Sequence, residues 1–123
     1  MVDRVSRYIL GVIFLVFGLN YFFPFLPMPV TEGPGPNFLR AIESTGYLMT
    51  VIKGVEVVVG CLFLMNRWMH LAILLIAPGV INICLFHVML DPLGLPLAIL
   101  LGCLWSLLVY HRREQFRFLL QPY

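Results

Sequence analysis

Lys53 and Glu56 stand three residues apart inside the apolar run VIKGVEVVVG, which covers positions 51–60. Three apart on a helix means one shared face, so an ammonium and a carboxyl group are presented side by side. Such a pair can donate hydrogen bonds, exchange a proton with a bound oxygen, or neutralise itself. Glu56 is either protonated or ionised against Lys53, and the sequence leaves both states open. Three more polar residues sit in comparably apolar surroundings: Asn20, Asn82 and His87. An apolar slot with a few convergent donors of this kind suits a quinone or a lipid-like molecule, whose carbonyl oxygens need hydrogen-bonding or protonating partners.

The elements that must position these residues are membrane spans. The chain of 123 residues is 61% hydrophobic and 11% charged, with a mean hydropathy of +0.96. A soluble core of this size could not bury so much apolar sequence. Apolar runs of about 20 residues, the length a bilayer requires, fall at 5–23, 46–65, 68–90 and 93–110. The links Asn66-Arg67 and Asp91-Pro92 are too short for anything but antiparallel neighbours, so the expected fold is all-α, a polytopic up-down bundle of four transmembrane helices in one domain. The first run is too long for a signal peptide and no small-residue cleavage site follows it, so it reads as an uncleaved anchor.

Between the first two spans, PFLPMPVTEGPGP is too rich in proline and glycine for a helix or paired strand. Phe25, Leu26, Met28 and Val30 make it apolar enough to fold down as a cap on the bundle. NFLRAIESTG carries Phe38, Leu39 and Ile42 at helical spacing and is expected to form a short interfacial helix. The tail from 111 to 123 mixes arginine with Phe116, Leu119 and Leu120 and should lie amphipathically on an anionic leaflet.

Orientation follows from the basic residues at the span ends and beyond them. With both termini in the cytoplasm, Arg4, Arg7, Arg67, Arg112, Arg113 and Arg117 lie inside and Arg40 lies outside. Tyr8, Trp68 and Tyr110 then form an inner aromatic belt, with Tyr21 and Tyr47 on the outer side. The expected location is the bacterial inner membrane. Helical rise puts Lys53 roughly 10 Å and Glu56 roughly 15 Å below the outer boundary, Asn82 roughly 12 Å, and Asn20 and His87 roughly 5 Å. All five therefore fall between the midplane and the outer surface, and the inner half of the bundle carries almost no polar residues. Gly60 extends the Lys53–Glu56 face and permits close helix approach. Pro78-Gly79 should loosen the third span just before Asn82 and free carbonyls near the cluster.

Several function classes are excluded or left open. A net charge of +2 without basic–aromatic interleaving argues against nucleic-acid partners. Cys61, Cys84 and Cys103 show neither redox-pair nor metal-ligand spacing and read as small hydrophobes, so no metal site is expected. With no haem motif, nucleotide loop or dithiol, the chain cannot supply electrons alone, and whether it is itself an enzyme stays open. Two readings compete. Asn20, Lys53, Glu56, Asn82 and His87 line a polar cavity for a quinone or lipid-like ligand, with a redox partner subunit supplying electrons. Alternatively, they shield the polar groups of a client membrane protein, as an assembly chaperone or scaffold would, or simply lock helices together. Proton-coupled transport is disfavoured because the polar path stops at the midplane. So small a bundle also gains from forming a homodimer.

The segments RYILGVIFLVFGLNYFFPFLPMP, GVEVVVGCLFLMNRW and LAILLIAPGVINICLFH, in that order, resemble the DoxX-like family of small four-span membrane proteins. The resemblance covers the first three spans and runs through Asn20, Glu56, Pro78, Asn82 and His87; Lys53 has no counterpart in it. It implies the four-helix fold. It also implies a role either in membrane-associated redox complexes, including quinone-linked ones, or in receptor assembly.

Overall fold

The computed structural model describes residues 1–27 and 31–122, and its regular structure is helical throughout. In chain order come α1 (Val2–Phe22), α2 (Pro34–Ser44), α3 (Leu48–Met65), α4 (Met69–Met89), a 3-10 turn (Pro92–Gly94), α5 (Leu95–His111), the short α6 (Arg113–Phe116) and a final 3-10 turn (Arg117–Leu120). Helices α1, α3, α4 and the segment Pro92–His111 are each long and apolar enough to cross a membrane. Their bounds lie within about one turn of the sequence expectation. The protein is an all-α integral membrane bundle in which α1 packs on α3, α3 on α4, α4 on α5, and α5 returns to α1. The bundle has a termini end and a loop end, the latter carrying the long connection and α2.

Two left-handed residues reverse the chain between α3 and α4. Asn66 (φ 54°, ψ 43°) ends α3 with Asn66 N–H donating to the Phe63 carbonyl and Arg67 N–H to that of Leu62. Asparagine tolerates this conformation, whereas Trp68 at φ 49° is unusual for a bulky residue. At the other end, Gly46 (φ 83°) turns α2 into α3, and the Thr45 hydroxyl oxygen accepts from Leu48 N–H at 3.0 Å. The expected interfacial helix is thus present as α2, beginning three residues earlier than its apolar pattern because Pro34 supplies a ready first-turn φ. Gly35 and Phe38 set it over the far end of α4, Phe38 lying 5.7 Å from the Phe86 ring.

The α1–α3 seam is the tightest contact. A Cβ placed on Gly60 would lie 2.8 Å from the Leu15 amide nitrogen and 2.9 Å from the Gly11 carbonyl oxygen, and one on Gly18 would lie 3.2 Å from the Lys53 carbonyl oxygen. Small residues let the backbones meet, which is how helices gain packing where lipid offers no hydrophobic drive. Because the neighbours of Gly60 are backbone atoms that cannot rotate away, Gly60→Ala is expected to cost about 1–3 kcal/mol. A denaturant titration in mixed micelles checks this; unchanged stability would mean that the seam is looser than described.

The packed core is uneven along the bundle. Leu10, Phe14, Val59, Leu62, Phe63, Met69, Ala72, Ile73, Ile76 and Leu108 are buried together towards the termini end, with Val80 and Leu101 near mid-depth. Towards the loop end the buried positions are Gly18, Asn20, Gly35 and Ala98, with Glu56 at mid-depth. Large buried apolar side chains are therefore concentrated in one half, and the polar residues stand at the margin of the other.

Candidate functional site

Lys53 and Glu56 share one face of α3 as their spacing requires, with Lys53 Nζ 3.1 Å from Glu56 Oε2 and 3.5 Å from Oε1. The carboxylate side chain is 9% exposed and the lysine 24%. This difference matters: the glutamate is an interior group, while the ammonium sits at the rim of the bundle. Gly18 brings the α1 backbone against the Lys53 carbonyl, so α1 forms one wall beside the pair. Tyr21 Oη meets Thr50 Oγ1 at 3.2 Å one turn further towards the loop end, which closes the same seam.

Asn20 is buried between these two levels. Its Oδ1 accepts from Phe25 N–H at 3.0 Å and from Leu26 N–H at 2.8 Å, so one side chain folds the chain back after α1 ends. The backbone is thereby tied down at Phe25 and Leu26, but both side chains are exposed, not folded onto the bundle as the expected cap; Met28 and Val30 lie outside the described residues. Removing the acceptor leaves two amides to find water or lipid headgroups. Asn20→Leu is expected to cost about 1–3 kcal/mol and to speed amide exchange at Phe25 and Leu26. Protection at those two amides equal to that of the parent would show that the loop is held by something else.

His87 belongs to the turn between α4 and α5. Its Nδ1 lies 3.1 Å from the Asp91 carbonyl oxygen and 3.4 Å from Asp91 Oδ2, and since a carbonyl only accepts, this contact places a proton on Nδ1. Its ring fills the space where Gly94 lacks a side chain, so a larger residue there would displace the ring. Asn82 is exposed on the outer surface of α4 and makes no side-chain hydrogen bond among the described residues. The five sequence-selected residues therefore do not converge. Asn20, Lys53 and Glu56 share the α1–α3 side, His87 closes a turn, and Asn82 faces away from the bundle. The reason lies in α4, which is apolar on every side, so hydropathy gives no hint of its rotation about its own axis.

Pro78 lies inside α4, which continues unbroken from Met69 to Met89. The carbonyl nearest to this proline with a side-chain partner is that of Ile73, which accepts from Trp105 Nε1 at 3.2 Å. Pro78 has no N–H to give the Leu74 carbonyl, and the neighbouring Ile73 carbonyl anchors an α4–α5 tie towards the termini end.

The termini end is more polar than its sequence implied. Arg7 and Ser6 are buried. Arg7 Nη1 donates to the carbonyls of Phe63 at 2.6 Å and Leu64 at 3.2 Å, and the guanidinium stacks 4.5 Å from the centre of the Tyr8 ring. The last carbonyls of a helix lack amide partners, and a cation there also meets the negative end of the helix dipole. Arg7 of α1 is therefore the cap of α3. Beside it, Arg112 holds Asp3 through paired bonds of 2.9 Å and reaches Asn66 Oδ1 at 3.2 Å, which joins α1, α3 and α5. An open groove of about 520 Å³ next to this network is lined by Asn66, Trp68, His70, Arg112, Gln115 and Phe118 among others. The sequence signal for Arg7 is its position within an apolar run, where a cation needs buried acceptors.

Among the described residues no cluster of His, Cys, Asp or Glu could hold a metal ion. The cysteines are free, Cys61 and Cys84 half-buried and Cys103 exposed. Fold and placement together define a small integral membrane four-helix bundle with an ion pair at mid-depth on its best-packed seam. Comparison with protein-family models, curated proteins and solved structures finds no match for the chain.

Proposed function

We propose that the Lys53–Glu56 face binds a quinone or lipid-like small molecule and that the protein is the membrane component of an oxidoreductase complex. The observation that carries this reading is the pair itself. Glu56 is buried at mid-depth with its carboxylate answered by one rim lysine of its own helix. Intramembrane charge of this kind is retained where it serves a pathway or a ligand. Packing supports the same reading, since large buried apolar side chains give out where the pair begins.

The donor set fits a carbonyl ligand. The Lys53 ammonium has donors beyond those it gives to Glu56, and it is reachable from the rim. Glu56 holds or delivers a proton at Oε1 or Oε2, beside the Lys53 ammonium. A quinone supplies two-electron chemistry when bound, taking up two electrons and two protons on reduction to the quinol. The electrons come from a partner subunit, since the chain carries no electron-transfer motif. Asn20 acts as a positioning residue through the Phe25–Leu26 backbone. Membership of the DoxX-like family is part of this proposal, as is an orientation with both termini in the cytoplasm of a bacterial cell. The basic residues Arg4, Arg67 and Arg113 at the termini end support that orientation.

A second reading, an assembly chaperone or scaffold, is favoured by one observation, the outward-facing Asn82. Extraction of the protein in native lipid particles, followed by identification of everything that copurifies, separates the two. A bound quinone or lipid-like molecule is expected. A stoichiometric client protein with no small molecule would replace the first reading by the second.

A further inference from the structure

Asn82 stands in the membrane-spanning part of α4 with its carboxamide turned out of the bundle. The residues in line with it along the helix are Leu71, Leu75, Pro78, Leu85 and Met89, and every one of them is exposed. Their numbers advance by alternating steps of four and three, the seam spacing of two helices that coil around each other with a left-handed twist. The buried face of α4, formed by Ala72, Ile73, Ile76 and Val80, points the other way, towards α3 and α5. Leu74, Ile81 and Val88 widen this exposed face on one side, and Asn82 marks the line through its polar residue; no described residue of the chain covers it.

We infer that this seam is the interface of a symmetric dimer, in which α4 of one copy pairs in parallel with α4 of a second copy and the two Asn82 side chains bond to each other. The occupant follows from the chemistry of the amide. A carboxamide carries both donors and an acceptor, so it is complementary to itself. A two-fold axis along the membrane normal brings the two Asn82 residues to the same depth, and each N–H then meets the other's oxygen. Facing lipid alone, the carboxamide would leave these groups unpaired in hydrocarbon. A single polar residue in an apolar seam also fixes register, because any slip along the helix separates the pair. The inference does not depend on what the Lys53–Glu56 face binds.

The test uses cross-linking in native membranes after Cys61, Cys84 and Cys103 are replaced by alanine. Leu75→Cys and Leu85→Cys, on the seam, are expected to form disulfide-linked dimers on oxidation. Ile81→Cys and Val88→Cys, equally exposed but off the seam, are expected to form few. Adding Asn82→Leu should reduce the seam cross-links. Independently, energy transfer between labelled copies of the otherwise natural chain in phosphatidylcholine vesicles should show self-association weakened by roughly tenfold in Asn82→Leu. Asn82 is exposed and makes no side-chain hydrogen bond among the described residues, so the variant should keep the thermal stability of its monomer. Equal cross-linking on and off the seam, energy transfer unaffected by Asn82→Leu, or cross-links to a different membrane protein instead of a second copy would each overturn the inference.

Discussion

Lys53→Met is expected to destabilise the bundle by roughly 3 kcal/mol, and the double variant Lys53→Met with Glu56→Leu to recover most of that loss. The single change leaves a carboxyl group inside the bundle with its charge partner gone; the double change leaves an apolar face. The two single variants should also differ. Glu56→Leu strands an ammonium that already reaches the rim and can extend towards water, so it should cost less than Lys53→Met, which strands the more deeply buried partner. Unfolding midpoints of the four proteins in one detergent mixture give the comparison. A double variant as unstable as the sum of its singles would mean that each residue has a separate partner.

The other large effect is expected at Arg7. Arg7→Met removes two charge-assisted hydrogen bonds from the last turn of α3 and leaves the Leu64 carbonyl with no donor in its place. A loss of about 2–3 kcal/mol is expected. Arg7→Lys should restore only part of it, since an ammonium keeps the charge at the helix end but not the flat guanidinium that stacks on Tyr8. Amide exchange should rise first around residues 63–67. If Arg7→Met unfolds like the parent, the desolvation of this cation offsets what its bonds contribute.

These two sites show what the sequence does and does not encode. The pairing of Lys53 with Glu56 was legible because both lie on one helix, where spacing alone sets their geometry. The role of Arg7 was not, because its acceptors are backbone carbonyls more than fifty positions away, and carbonyls leave no trace in residue type. Span limits were legible to within a turn because hydropathy fixes them. Close packing at Gly60 could be anticipated from its place beside Glu56, but the matching Gly11 and Gly18 of α1 emerged only with the seam. Asn82 marks the clearest failure. Depth is readable from distance along a helix, yet direction needs an amphipathic pattern, and α4 has none. His87 is part-buried, but the turn at Gly94 claims its ring. Tyr8, Tyr47, Trp68 and Tyr110 are exposed, whereas Tyr21 is half-buried and meets the exposed Thr50 across the α1–α3 seam.

The most direct test of the proposed site is ligand retention by Glu56→Gln. The amide keeps the shape of the side chain and can still accept from Lys53, but it can neither carry the charge nor exchange the proton. Parent and variant are extracted side by side in native lipid particles, their thermal midpoints compared, and the quinone or lipid-like molecule held by each quantified by mass spectrometry. The expected result is a folded variant, within a few degrees of the parent, that has lost most of the bound molecule. Equal retention in the two proteins, with stability preserved, would contradict it and leave the Lys53–Glu56 pair as a brace within α3.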